Sequence, residues 1–394
     1  MFICFLIFLK LGLCVNYLVS LKPKETYDNF IAYDATYPIE SQVKDLIDSK
    51  FQIGSFTGFS GNFTEKHLER FKRCPLIDEI SPDIKLESYD VKYQQNAPRH
   101  LARLSRSKRM KPRKEYPYVY DDHFTGKRVN AYVIDSGIEI GHPELQGRAR
   151  LGKDFTNTGI GDLNGHGTHV AGLIGSNTYG VAKNVNIIDI KALNERGVGN
   201  LSTVIKALEF VVNHRINTEK PGVVNLSLGA YRNNILNNAI EQAAKTELVF
   251  VVAAGNSNLN ACLTSPSSSP YAITVGAIDD YNDSITSFSN WGECVDLFAS
   301  GAFVKSIDKN SFEKVHTLSG TSMAAPIVSG LVANLLSEGI DPHFIRSELI
   351  KLSTKNKIKK TSMLLRRGTP NRIAFNGVEH KLVDEGEDSD NTNW

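Results

Sequence analysis

Apolar residues recur along this chain with two different periods, and the switching between them predicts the order of elements. The runs RVNAYVID (128–135), 186–193, 222–229, 248–254 and 272–278 are apolar almost throughout, as strands covered on both faces are. Between them, 200–213 and 234–245 repeat apolar residues at helical spacing. Strands alternating with helices imply an α/β fold, a parallel sheet flanked by helices. HGTHVAGLIGS, opening at His166, and SMAAPIVSGLVANLL, opening at Ser322, read as two more helices, each announced by a glycine-containing turn. No internal repeat is visible.

The ends of the chain follow other patterns. Residues 1–20 are apolar but short and interrupted by Lys10, so they read as a secretory signal peptide rather than a membrane span. The missing basic n-region leaves an uncleaved anchor open. Residues 21–91 contain YDNFIAYDATYP, FTGFSGNFTEKHLERFKRCP and LIDEISPDIKLESYDV, which read as strand, helix and strand of a small α+β domain. Residues 92–377 form the main domain, and 378–394, acidic and poor in core residues, read as a disordered tail. With 41% hydrophobic residues in 394, the chain can bury a large core. Its net charge of +2 is uninformative about partners; a monomer acting without nucleic acid is expected. Eight Lys or Arg lie between Arg99 and Lys114, and such a run reads as a solvated basic loop. Within it, Arg106-Ser107-Lys108-Arg109 has the spacing that a basic-site convertase would cut.

Three motifs stand at predicted element ends. IDSG leaves Asp135 at the carboxyl edge of a strand, where ligands of open α/β sheets gather. NGHGTHVAG puts His166 at the mouth of a helix, and SGTSMAAP puts Ser322 at a helix N-terminus, where unpaired amides favour negative charge. A serine hydroxyl is a poor nucleophile until a neutral imidazole takes its proton and a buried carboxylate holds that imidazole. Asp135, His166 and Ser322 supply that set for a nucleophilic hydrolase. A lipase or esterase of the α/β-hydrolase type would need a G-x-S-x-G elbow and serine before histidine, and this chain has neither. A non-catalytic scaffold is the other alternative, and the complete set argues against it. His169 lies three residues after His166, but no HExxH pattern accompanies it, so it reads as packed structure, as do His142 and His316. No cofactor is expected in the chemistry.

At these motifs, and over GVAKNVNIIDIKAL, GVVNLSLGA, VFVVAAGNSN and SFSNWGECVDLFASG, the chain resembles the subtilisin family, nearest its proteinase K and cerevisin branch. The resemblance covers roughly residues 92–377 and implies a serine endopeptidase acting on polypeptides. It implies that Asn256 and the Ser322 amide form the oxyanion hole. Gly197-Val198-Gly199 and Ser227-Leu228-Gly229 would pair with an extended substrate. Ser227-Leu228-Gly229 and Ala253-Ala254-Gly255 would wall the pocket for the residue before the scissile bond, with Thr264 at its base. None of these is acidic, so apolar or aromatic residues suit the pocket better than dibasic ones. Family likeness also implies a Cys262–Cys294 disulfide, suited to an oxidising compartment, and a structural calcium held by Pro270, Ala272 and Asp296. Residues 21–91 resemble a subtilisin propeptide, an intramolecular inhibitor cut away near Val91-Lys92. Ile327 follows Pro326 where related proteases usually carry histidine. Secretion is expected, with a vacuole or cell wall as the alternative. Sequons at Asn62, Asn200 and Asn282 permit glycosylation, whereas that at Asn225 falls in a predicted buried strand.

Overall fold

A computed structural model describes residues 16–83, 91–111 and 115–378. The greater part of the expected signal segment (1–15) and the expected tail from 379 onward lie outside the described residues. The chain divides into two units, Met1–Ser88 and Tyr89–Trp394.

The smaller unit is an antiparallel sheet with strand order Ile47–Ile53, Phe56–Asn62, Asn16–Leu21, Ile77–Pro82. Asn16–Leu21 is a central strand, so the folded unit includes the last residues of the 1–20 segment expected to be a leader. Val19 and Leu21, two residues apart, point to one face and are buried there. The segment read as a first strand, Tyr27–Asp34, is a helix: the Thr26 side chain accepts from the Asn29 amide at 3.2 Å, and Phe30 and Asp34 face the core one turn apart. The segment read as one helix is a strand, Phe56–Asn62, and then a helix, Glu65–Phe71, opened by a capping box between Thr64 and His67. Aromatic side chains close this core, with Phe30 and Phe59 rings 4.6 Å apart and Phe63 and Phe71 rings 5.0 Å apart.

In the larger unit, seven strands run parallel in the order Leu297–Ser300, Ala272–Asp279, Leu248–Ala253, Gly222–Leu226, Asn130–Asp135, Asn186–Lys191, Ala149–Asp154. Short antiparallel additions make the sheet mixed at its margins. The apolar runs sort by alternation: Ala131, Val133, Val249 and Val251 join one core with helices His166–Gly175 and Thr321–Ser337. Tyr132, Ile134, Phe250 and Val252 join the other with Leu201–Thr218 and Asn234–Ala244. Both faces of the sheet are therefore dry, the physical reason its strands carry so few polar residues. Val91 pairs with Asp121 and so belongs to this unit. Ile327 is buried among the apolar side chains of its helix. Asn225 is 1% exposed and bonded to Ser227 and Ser329, which denies its sequon a glycan.

The basic run is not a solvated loop at its start. Arg99–Leu104 is a short helix in which Arg99 pairs with Asp280 at 2.8 Å and Arg103 grips both oxygens of Asp283 at 2.9 and 3.2 Å. Arg103 and Asp283 are each 1% exposed. Removing one partner strands a buried charge, so Arg103→Ala should cost about 3–5 kcal/mol of stability. Denaturant unfolding measures this, and a cost below about 1 kcal/mol, the level of a surface pair, would contradict the burial argument.

Candidate active site

Asp135 ends the strand Asn130–Asp135 and is fully buried. Its Oδ1 accepts from the Ser136 amide at 2.7 Å and meets His166 Nδ1 at 2.7 Å. His166 opens the helix His166–Gly175, which reaches the strand end only because residue 167 lacks a side chain: a Cβ there would lie 2.2 Å from the Gly137 carbonyl. Gly165, just before the helix, offers it no side-chain cap. Asp162 takes over that task, accepting from the amides of Asn164, Gly165 and Thr168 at 3.0, 2.8 and 2.9 Å and from the Thr168 and Ser136 hydroxyls. Asp162, a residue the motif reading passed over, thus fixes the helix that carries the imidazole. Its only sequence signal was a carboxylate four residues ahead of the histidine.

Burial of His166 works against its protonated form, but the Asp135 carboxylate, by charge and hydrogen bond, outweighs burial, and Asp162 adds to it. The net result is a pKa raised above the ordinary 6.5.

Ser322 lies in the first turn of the helix Thr321–Ser337. Its hydroxyl donates to the Ser227 carbonyl at 3.2 Å, while the Ser227 hydroxyl donates to the Ser322 carbonyl at 2.9 Å. Ser322 bonds here to Ser227 rather than to His166, and such contacts often tighten only when substrate binds. Asn256 is held by its oxygen, which accepts from the Thr321 amide at 2.8 Å and the Thr321 hydroxyl at 2.9 Å. That hydroxyl accepts in turn from the Gly255 amide at 3.0 Å. Its Nδ2 is turned to the cleft: a Cβ built on Gly320 would stand 3.3 Å from Asn256 Nδ2 and 3.6 Å from the Ser322 amide nitrogen. The Asn256 amide nitrogen and the Ser322 backbone nitrogen therefore both lie close to Gly320, where a side chain would crowd them. Asn290 braces the same turn, donating to Ala254 O at 2.8 Å and accepting from the Ser257 and Leu259 amides. Thr321 and Asn290 were both missed in the sequence, because each acts through a partner more than thirty residues away.

Two clefts share the wall Ser227–Ala230. One, of about 560 Å³, is bounded by Ala253-Ala254-Gly255, Asn256, Thr264 and Ser322. The other, of about 510 Å³, is bounded by His166 and by Gly197-Val198-Gly199. No lining residue of the first cleft is acidic. Cys262 and Cys294 are joined in a disulfide, Cα atoms 5.3 Å apart, tying the turn before Thr264 to the segment before Asp296. Of the residues that family likeness assigns to calcium, Pro270 and Ala272 accept at their carbonyls from the Arg346 guanidinium, and Asp296 Oδ1 lies 3.3 Å from Arg346 Nη1. The three accessory histidines are structural neighbours of this region. His169 is buried, its Nε2 directed at the Val304 and His316 carbonyls at 3.1 Å, and burial drives its pKa down to about 3. His142 accepts from the Glu144 amide, and the His316 ring lies 5.6 Å from that of His169.

A parallel sheet with a serine at a helix mouth, an imidazole on a neighbouring element and a cleft along one wall defines a peptidase of the serine class. Residues 126–374 match the model of the Subtilase family. The chain is 39% identical to the subtilase-type proteinase RRT12 of Saccharomyces cerevisiae, over 98% of this chain and 87% of that protein. It is 37% identical to cerevisin of the same yeast, over 84% of this chain and 55% of cerevisin. A crystal structure of a cold adapted subtilisin-like serine proteinase superposes with a TM-score of 0.64 at 40% identity, covering 71% of this chain and 98% of that one. The chain belongs to the subtilase family and is a subtilisin-like serine endopeptidase. Among the described residues, no helix is long and apolar enough to cross a membrane.

Proposed function

We propose that the enzyme cleaves peptide bonds by a triad of Ser322, His166 and Asp135 with an oxyanion hole made by Asn256 and the Ser322 amide. The observation that carries this reading is the 2.7 Å contact between His166 and buried Asp135, with His166 and Ser322 lining two clefts that share the segment Ser227–Ala230. His166 Nε2 takes the proton of the Ser322 hydroxyl as Oγ bonds to the scissile carbonyl carbon, whose π electrons move to oxygen. Asn256 Nδ2 and the Ser322 amide stabilise that oxyanion. Collapse breaks the C–N bond, and His166 returns the proton to the departing amine. Water then repeats the sequence on the acyl-enzyme. Every proton and electron pair in these steps is moved by residues of the chain and by water.

An extended polypeptide lies between Gly197-Val198-Gly199 and Ser227-Leu228-Gly229 in this reading, and its side chain enters the cleft above Thr264. The absence of a carboxylate in that lining favours apolar or aromatic residues, since a buried cation would have no partner. The small α+β unit serves as a propeptide that inhibits the enzyme until it is cut near Val91-Lys92. Its own aromatic core supports independent folding. A monomeric, secreted or vacuolar enzyme made as a zymogen follows.

A fluorophosphonate probe, which phosphonylates an activated serine with loss of fluoride, tests the assignment: labelling should map to Ser322, and casein should be hydrolysed. Labelling elsewhere, or esterase activity without proteolysis, would reject it. Asn256→Ala should lower kcat by about 10²–10³ with KM little changed, the scale found when subtilisin itself loses this donor. Steady-state kinetics on a chromogenic peptide measures the split, and a pure KM effect would place Asn256 in ground-state binding instead.

A further inference from the structure

The oxygens that family likeness assigns to calcium already face a cation in this structure, and it is covalently attached. Arg346 stands in the first turn of the helix Ile345–Leu352. Its Nη2 donates to Pro270 O at 2.9 Å and also to Ala272 O, and its Nη1 lies 3.3 Å from Asp296 Oδ1. Asp296 Oδ2 accepts from the Thr274 amide at 2.8 Å. A planar guanidinium fork matches two carbonyls and a carboxylate. Calcium needs roughly six to eight oxygen ligands, and a cation hydrogen-bonded to the two carbonyls and ion-paired with the carboxylate both engages these oxygens and repels a second charge. Among the described residues, no cluster of three His, Cys, Asp or Glu side chains offers a metal site.

We propose that Arg346 is a built-in replacement for a calcium ion in the Pro270, Ala272 and Asp296 cradle, so that the fold is stable here without dissolved calcium. The cradle is also linked to the substrate cleft: the Thr274 hydroxyl donates to the Ser267 carbonyl at 2.9 Å, and Ser267 lines the same cleft as Ser322. The proposal rests on the cradle's contacts and not on the catalytic reading, and its test uses unfolding rather than turnover.

The test uses full-length Ser322→Ala protein, which does not digest itself if Ser322 is the nucleophile, and follows thermal unfolding in EDTA and in calcium from about 0.1 to 10 mM, a span that brackets weak calcium sites. The parent midpoint should be the same in both. Arg346→Ala should lower the midpoint by several degrees and recover part of the loss as calcium rises. Adding Asp296→Asn to Arg346→Ala should remove that recovery. If Arg346→Ala does not fold, Arg346→Lys, which keeps a cation but not the fork, should fold with a reduced midpoint and no calcium response. A parent midpoint that rises with calcium and loses that rise on Asp296→Asn would overturn the proposal. So would an Arg346→Ala midpoint equal to the parent's.

Discussion

A Ser322→Ala chain is expected to lose about 10⁶-fold in kcat against a peptide substrate, the scale set by the equivalent loss in subtilisin. The hydroxyl is the atom that bonds to the carbonyl carbon, and nothing else in the cleft replaces it. Alanine suits the first turn of a helix, and the only hydrogen bond it removes is the 3.2 Å contact to the Ser227 carbonyl. Folding should therefore survive, which circular dichroism and an unchanged unfolding midpoint would verify. The residual rate should not be zero, because Asn256 and the Ser322 amide still stabilise an oxyanion formed by attacking water. Processing should stop as well if the enzyme cuts its own propeptide. N-terminal sequencing should then find a new terminus near Val91-Lys92 in the parent and none there in the variant. Proteolysis retained by Ser322→Ala at more than a trace would end the triad assignment.

The parallel sheet was legible in the sequence because covering both faces forces nearly unbroken apolar runs, and the helices between them kept their own period. The small unit was less legible. Its Tyr27–Asp34 segment is rich in aromatic residues that suit a strand as well as a helix, and the deciding signal was Thr26, a helix cap. Arg99 and Arg103 looked solvated because their carboxylate partners, Asp280 and Asp283, lie about 180 residues further on. A charge run read locally cannot show a partner that only the fold supplies. The same limit hid Arg346 from the calcium expectation: the three oxygens were recognisable by likeness, while the cation that fills them comes from a helix with no such signature. Of the site itself, the three motifs stood out because glycine-bounded element ends carried them. The residues that orient them, Thr321 and Asn290, act across long sequence separations.

Asp135→Asn should lower kcat by about 10⁴ with little change in KM, and the structure dictates why an isosteric change is so costly. Asp135 Oδ1 receives two donors, the Ser136 amide and His166 Nδ1, while Oδ2 is buried with no hydrogen-bond partner among the described residues. If an asparagine keeps its oxygen toward Ser136, its NH₂ is buried at the Oδ2 position with nothing to accept from it. If it turns over, its NH₂ faces His166, which must then accept at Nδ1 and carry its proton on Nε2. An imidazole in that tautomer cannot take the serine proton. The same substitution should move the pH profile. Catalysis needs neutral His166, and Asp135 raises the His166 pKa above 6.5, so kcat/KM of the parent should fall as pH drops through a value above 6.5. Without the carboxylate, burial is the largest remaining influence and it favours the neutral ring, so the acidic limb of Asp135→Asn should lie at lower pH than the parent's. A profile measured from about pH 5 to 9 separates this from mere misfolding, which would reduce the rate without displacing the limb. An unmoved limb in a folded Asp135→Asn protein would mean that another group governs the parent's pH dependence.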